Sequence, residues 1–344
     1  MPAEAGDSIR PEQIDEIYRT LIHPTLFGSA SGGGPSPTLV LLGGQPGSGK
    51  SRASARLLVE HDSMVALSGD DLRIFHPQYR NLVTSRPEQA GAVLADSTSS
   101  WVRAAIQDAL DEHRSLLVEG TFGDPDVTLA TAARFRAAGF RVRIVAIASP
   151  RVLSVVTATS RYLRDRKLGS PARFTRLSAH DRGYDGTTRL IDAVAASDLA
   201  DEVTIISRNG NTLLDQLRGL DDSNSSYASA SAALREGRNP TSWGARSTME
   251  LLGELKQITS YAIASEQFAP DVADLLIHAH TLALEEVIPR LSVDAESPQA
   301  QFIQQAVTEQ LVAVRRAVGS NDQMTADAAL GLVPAIAETH TDLE

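Results

Sequence analysis

Apolar and polar residues alternate along the chain in two rhythms, and the change from one to the other divides it. Between Thr38 and Ser207, short apolar runs bounded by turn residues recur: TLVLLGG (38–44), MVALSGD (64–70), SLLVEGT (115–121), RVRIVAIA (141–148) and EVTIIS (202–207). Each has the length and composition of a buried strand. The stretches between them carry helical signals: a helix opening at Ser48 to Ser51, a long helical stretch ending near His113, a helix around 126–138, and a basic helical stretch from Pro150. Strands that alternate with helices predict an α/β fold, a parallel sheet with helices on both faces.

The flanks read differently. PEQIDEIYRTLI (11–22) predicts a short amphipathic helix with Pro11 in its first turn, followed by a Gly/Ser-rich loop over 28–37. DDSNSSYASASAAL (221–234) reads as a polar linker or a frayed helix start, and beyond it the strand rhythm stops. One helix is expected with Ser247 and Glu250 spaced as a capping box, a second from Pro270 to Pro289, and a third capped by Ser297 and closed by Gly319. A weaker fourth stretch spans roughly 325–338. The expected organisation is an N-terminal helix and loop (1–37), an α/β domain (38–220), a linker (221–240) and an all-α helical bundle (241–344).

Charge sharpens this division. The net charge of −11 resides in the last third: residues 1–220 hold 25 basic and 25 acidic groups, whereas 221–344 hold 7 and 18. Residues 151–190 are locally basic, with 9 cationic and 3 acidic groups. A short basic stretch in an acidic chain argues against a nucleic-acid coat and for a small anionic ligand. The chain has no cysteine, which removes disulfides and thiolate chemistry. Its N-terminus lacks the apolar core of a secretory signal, and no apolar run approaches the ~18 residues of a membrane span. A cytoplasmic protein without nucleic-acid or membrane partners is expected.

The chemistry begins at GQPGSGKS. Gly44, Gly49, Lys50 and Ser51 satisfy the G-x-x-x-x-G-K-[ST] pattern between a strand and a helix. In such a loop Gly44, Gln45, Pro46, Gly47, Ser48 and Gly49 turn the backbone so that amide N–H groups face phosphate oxygens. Lys50 reaches the β- and γ-phosphates of ATP, and the Ser51 hydroxyl is the metal ligand, for Mg²⁺. Asp70 and Asp71 end the second strand run, about 20 residues after the lysine, at the edge where doubly wound sheets bind ligands. Asp70 is the expected catalytic base, and Asp71 the expected cap of the helix that follows. Glu119 and Thr121 end the third run. Arg161, Arg164, Arg166, Lys167, Arg173 and Arg176 surround a Gly-Ser-Pro turn and are suited to neutralising a transferring phosphoryl group.

GQPGSGKS, GDDLRIFHPQY, VEGT, SRYLRD, PARFTRLSAHD and ISRNG occur in the order and near the spacing of the zeta-toxin family, and residues 35–218 resemble it. These are the P-loop kinases of epsilon/zeta toxin–antitoxin systems. The resemblance implies that Asp70, Lys50, Arg161 and Arg173 are catalytic, the two arginines as phosphate clamps, and that Arg208 in ISRNG joins the nucleotide site. It implies that Glu119, Thr121, His76 and the residue at position 103 contact the acceptor, UDP-N-acetylglucosamine, whose amino-sugar 3′-hydroxyl is phosphorylated. Two positions depart from the pattern. Arg103 stands where a sugar-contacting glutamate is expected, and Gly123 where an arginine is common. A guanidinium donates where a carboxylate accepts. A one-turn shift in register would bring Asp108 or Ser99 to that place instead.

Two other activities fit the motifs: a kinase of another small acceptor, such as an antibiotic or a dinucleotide, and a non-catalytic protein gated by ATP. A separate antitoxin is one implied partner. The acidic bundle is expected either to restrain the kinase or to serve oligomerisation or partner binding. His278 and His280 read as ordinary helix residues, and Trp101 and Trp243 as core.

Overall fold

The computed structural model describes residues 9–28, 36–61, 63–217, 228–240, 244–265, 269–291 and 297–319. Trp243, the stretch 325–338, residues 29–35 of the Gly/Ser-rich loop and residues 218–227 lie outside the described residues. The chain divides into two compact units, neither contiguous in sequence: Met1–Pro150 with Asp165–Asn239, and Arg151–Arg164 with Pro240–Glu344.

In the first unit, helix α1 (Pro11–Ile17) continues through a π-helical turn into α2 (His23–Phe27). Strand β1 (Thr38–Gly43), helix α3 (Lys50–Val59) and strand β2 (Val65–Ser68) follow as the apolar runs predict. The single long helix expected before His113 is instead α4 (Gly69–Leu72), α5 (Tyr79–Ser85), α6 (Pro87–Val93) and α7 (Ala95–Asp111). Pro77 and Pro87 break it, because proline cannot donate within a helix and forces its predecessor out of helical geometry. Then come β3 (Leu116–Gly120), α8 (Pro125–Ala137), β4 (Arg141–Ala148), α9 (Arg151–Lys167), α10 (Leu177–Ala195), β5 (Glu202–Ser207), β6 (Thr212–Leu217) and α11 (Ala228–Gly237).

The strands form one sheet in the order β2-β3-β1-β4-β5-β6, parallel except for β6, which pairs antiparallel with β5 at the edge. Both faces are buried, as in parallel sheets generally. Leu39 and Leu41 of β1 pack with Trp101, Phe135, Ile191 and Leu234 on one side, whereas Val40 and Leu42 pack with Ala53 and Leu57 of α3 on the other. Trp101 is fully buried, and its indole N–H donates to the carbonyl of Ile14 at 2.9 Å, which fastens α1 to α7. Two elements go beyond the sequence reading. The mixed run TLLDQL is the edge strand β6, made by a turn at Gly210 with φ +84°. Within the segment read as a linker, α11 packs on β4 and β5 and buries Ala230 and Leu234 in the sheet core.

The second unit contains α12 (Ala245–Ala264), α13 (Pro270–Leu282), which continues through a π-helical turn to Arg290, and α14 (Pro298–Ala317), together with the first 14 residues of α9. Leu251, Leu255, Ile258 and Ala262 recur at helical spacing on α12, and Val307, Leu311 and Val314 on α14; all are buried. Ser297 caps α14 by accepting from the amide of Ala300 at 3.2 Å, and Gly319 ends it with φ +68°. The capping box at Ser247 does not form. Helix α12 starts earlier, at Ala245, and Glu250 pairs instead with Arg246 at 2.9 Å. The Ser160 hydroxyl on α9 donates to the Glu254 carboxylate on α12.

His280 is fully buried, and its Nε2 lies 3.0 Å from the Thr259 hydroxyl. Burial lowers its pKa from 6.5 to about 4. Between those values the unfolded chain takes up a proton that the folded chain does not, so stability falls as pH drops from 6.5 towards 4, by at most ~3 kcal/mol. Denaturant titrations at pH 7 and pH 4.5 should show this loss in the native chain and a smaller one in His280→Gln.

Candidate active site

The sheet's parallel register brings Leu42 level with Glu119, and Glu119 level with Ser68. The residues that follow β1, β2 and β3 therefore meet at one edge. After β1, Gly47 and Gly49 take φ values of +80° and +105°, where a side chain would be strained, and the loop folds into the start of α3. The buried Gln45 side chain anchors this loop by donating to the Ser149 carbonyl at 2.8 Å, just past β4. Lys50 turns back across it, its Nζ donating to the carbonyls of Gly44 at 2.6 Å and Gln45 at 3.2 Å. Arg208, after β5, donates to the Gly47 carbonyl; burial and the nearby Arg52 push its pKa down. Pro46 and Ser48 are buried, while Ser51 is exposed on the first turn of α3.

The carboxylates gather opposite. Asp70 Oδ1 pairs with Arg73 at 3.4 Å, and its Oδ2 pairs more closely with Arg173. Burial raises the pKa of Asp71, reinforced by Asp70. Asp71 caps nothing: α4 begins two residues earlier, with Ser68 at the cap position and no side-chain cap. Burial raises the pKa of Glu119, opposed by a hydrogen bond with Ser54 and the charge of Lys50, and increased by Asp71 and Asp70. Lys50, Glu119, Asp70 and Asp71 thus share one electrostatic environment. A small cleft of about 40 Å³ opens beside Asp70, with Arg73 and Arg173 among its polar residues and Tyr79, Val83, Leu94 and Phe174 supplying apolar surface.

Oxygen donors are what Mg²⁺ prefers, and it commonly takes one or two protein ligands, completing its shell with phosphate and water. The Ser51 hydroxyl, next in the chain to Lys50 whose charge acts on Glu119, is a donor of that type. Among the described residues no cluster of three or more acids and histidines forms a cage that would suit a different metal.

The other sequence-derived candidates make mostly local contacts. His76 is buried, and its Nδ1 accepts from the amide of Gln78 at 3.1 Å, which stabilises the turn at Pro77. Arg103 is exposed on α7 and donates to the Ser100 hydroxyl at 3.0 Å. Asp108 accepts from the Tyr18 hydroxyl at 2.6 Å and serves the attachment of the N-terminal helices; Ser99 is exposed. Arg161 belongs to the part of α9 that groups with the second unit.

Sequence reasoning gave Arg73 no role and did not separate α10 from the basic helical stretch that begins at Pro150. The signal for α10 was present in Gly183 and Gly186, three apart in an otherwise helical run. A Cβ on Gly183 would stand 3.2 Å from both Gln45 Cα and Thr121 Cβ, and one on Gly186 would stand 2.1 Å from the Phe122 carbonyl oxygen. Only glycines let α10 approach the loop after β3 this closely. Phe122 itself has φ +51°, rare for a bulky residue, and its buried ring lies over the paired strand ends Gly43 and Gly120. A Cβ on Gly43 would stand 1.8 Å from that ring.

The sheet, the phosphate loop after its first strand and the acidic edge define a P-loop kinase-like fold. The chain belongs to the zeta toxin family, whose model matches residues 29–218. The toxin zeta proteins of Enterococcus hirae and Streptococcus pyogenes are each 26% identical over 185 residues, 53% of this chain and 64% of the relative. The match thus spans less than two thirds of those relatives. A solved chain from the PezAT chromosomal toxin–antitoxin system of Streptococcus pneumoniae has a TM-score of 0.60 at 20% identity, covering 73% of this chain and 98% of its own.

The fit of Phe122 over Gly43 is directly testable. Gly43→Ala should lower stability by ~1–3 kcal/mol through overpacking. A double-mutant cycle with Phe122→Ala, read by denaturant unfolding, should recover most of that loss.

Proposed function

We propose that this protein is an ATP-dependent kinase that transfers the γ-phosphoryl group to a hydroxyl of a nucleotide sugar, with UDP-N-acetylglucosamine as acceptor. The observation that carries this reading is Asp70, held at the sheet edge in one electrostatic environment with Lys50 and Glu119 and engaged on both oxygens by arginines. The amides of Gly47 to Lys50 would receive the phosphates of ATP, and Lys50 would exchange its two loop carbonyls for phosphate oxygens. The Ser51 hydroxyl would hold Mg²⁺, which neutralises charge on the β- and γ-phosphates when bound.

Arg173 has two competing attractions, Asp70 and the γ-phosphoryl group. Moving it to the phosphoryl group uncovers Asp70 Oδ2 for the acceptor hydroxyl, whose proton Asp70 takes as the oxygen attacks phosphorus. Arg173 then faces the charge spread over the transferring group. The family resemblance alone assigns Arg161 the second clamping role. Tyr79 and Phe174 at the cleft beside Asp70 would offer apolar surface to one side of the acceptor. Arg103 and Gly123 favour a second reading, a kinase of a different and more anionic small acceptor.

The relatives are toxins, and a small antitoxin protein is the proposed partner. A further control is proposed for the C-terminal helices. They group with Arg151–Arg164 of α9, and Ser160, next to Arg161, donates to Glu254, so they hold the segment that carries this arginine. No helix among the described residues is long and apolar enough to cross a membrane, and a cytoplasmic site of action is part of the proposal.

The test is ADP release with and without UDP-N-acetylglucosamine and other hydroxyl acceptors. Acceptor-dependent release should fall ~100-fold or more in Asp70→Asn, with ATP binding retained. Release that is independent of every acceptor and unchanged in Asp70→Asn would reject the kinase reading.

A further inference from the structure

Helix α10 does more than pack against the site. Arg182, Gly186 and Arg189 are spaced four and three apart and share a face. That face lies along the loop after β3: Gly186 meets the Phe122 carbonyl, and Arg189 Nη2 reaches the Gly123 carbonyl at 3.5 Å. A Cβ on Gly123 would stand 3.8 Å from Arg182 Cβ, so these two residues are neighbours. Gly183, the next residue along α10, touches both Gln45 of the phosphate loop and Thr121. Arg182 is therefore carried on a helix fixed against both halves of the site.

Its guanidinium has no assigned work. Arg189 is used on the loop backbone, whereas Arg182 is exposed and makes no hydrogen bond or ion pair among the described residues. Of the site's cations, Lys50 and Arg208 donate to the phosphate loop and Arg73 and Arg173 pair with Asp70, while Asp71 and Glu119 add negative charge that an anionic acceptor must meet. A cation beside this edge is what such an acceptor would need, and an arginine offers paired donors to phosphate oxygens.

We propose that Arg182 binds an anionic group, a phosphate of the acceptor, beside the loop of residues 121–123. Gly123 leaves the room, and α10 supplies in space the guanidinium that resemblance to the family leads one to expect at position 123. The inference rests on the kinase reading above and adds a residue that decides which acceptors bind.

Transfer of label from γ-labelled ATP to UDP-N-acetylglucosamine, and to the phosphate-bearing small molecules of a cell extract, tests it in the full chain. Arg182→Ala should raise the acceptor KM, or lower transfer at sub-saturating acceptor, by roughly tenfold to a hundredfold. ATP affinity and thermal stability should be unchanged, since the side chain is exposed. Arg182→Lys should recover part of the loss, and Gly123→Arg added to Arg182→Ala should recover part of it from the other side of the gap. Arg182→Ala transferring label like the native chain would overturn the assignment whatever the acceptor, while leaving the kinase reading standing. A native chain that labels no phosphate-bearing acceptor would overturn both.

Discussion

Parallel pairing in register is the constraint from which the site follows. Every parallel strand delivers its last residue to the same side of the sheet, and here Leu42, Glu119 and Ser68 lie level across three adjacent strands. One step further along each strand, the chain must leave the sheet. It does so as a phosphate loop after β1, as an acidic helical turn after β2, and as a crowded loop after β3. Residues distant in sequence share one electrostatic environment because backbone hydrogen bonds have already aligned the strands that bear them. Neither Lys50 nor Asp70 needs a specific contact with the other to be brought near it.

The elements legible in the sequence are those whose signal is local. Five strands are written as apolar runs, and the phosphate loop as a spacing of glycines, lysine and serine that admits few other uses. Asp70 and Glu119 could be found because each ends such a run. The edge strand β6 was hidden because one face of an edge strand need not be apolar, and TLLDQL mixes three leucines with Thr212, Asp215 and Gln216 without regular alternation. Helix α11 was hidden because a run of serines and alanines reads as a linker, although Ala230 and Leu234 meet the sheet. Arg73 and Arg182 matter through what lies opposite them, and no pattern along the chain records that. His76 lies in a recognisable motif, and its buried ring accepts from the amide of Gln78 at the turn around Pro77.

The loop after β3 shows how closely the site's parts are bound to one another. Phe122 accepts an unfavourable backbone conformation, of order 1–3 kcal/mol for such positions, in a place where its ring covers two glycines at the strand ends. Two further glycines let α10 lie directly on the same loop. The arrangement leaves little freedom for Thr121 or Gly123, so what changes between relatives at this edge can be the charge displayed there while the backbone beneath is kept. An arginine on a neighbouring helix is one way to make that change.

The division of α9 between the two units has a consequence for synthesis of the chain. Its first 14 residues group with helices that begin at Ala245, about 80 residues later. At ordinary translation speeds of ~5–20 residues per second, that interval lasts several seconds. The segment carries Val152, Val155, Val156 and Leu163, all buried in the finished molecule. The sheet domain can assemble while the helix carrying Arg161 is still incomplete in its surroundings. A nascent or truncated chain lacking α12 to α14 would then carry a formed phosphate loop and an arginine helix without the other helices of its own unit.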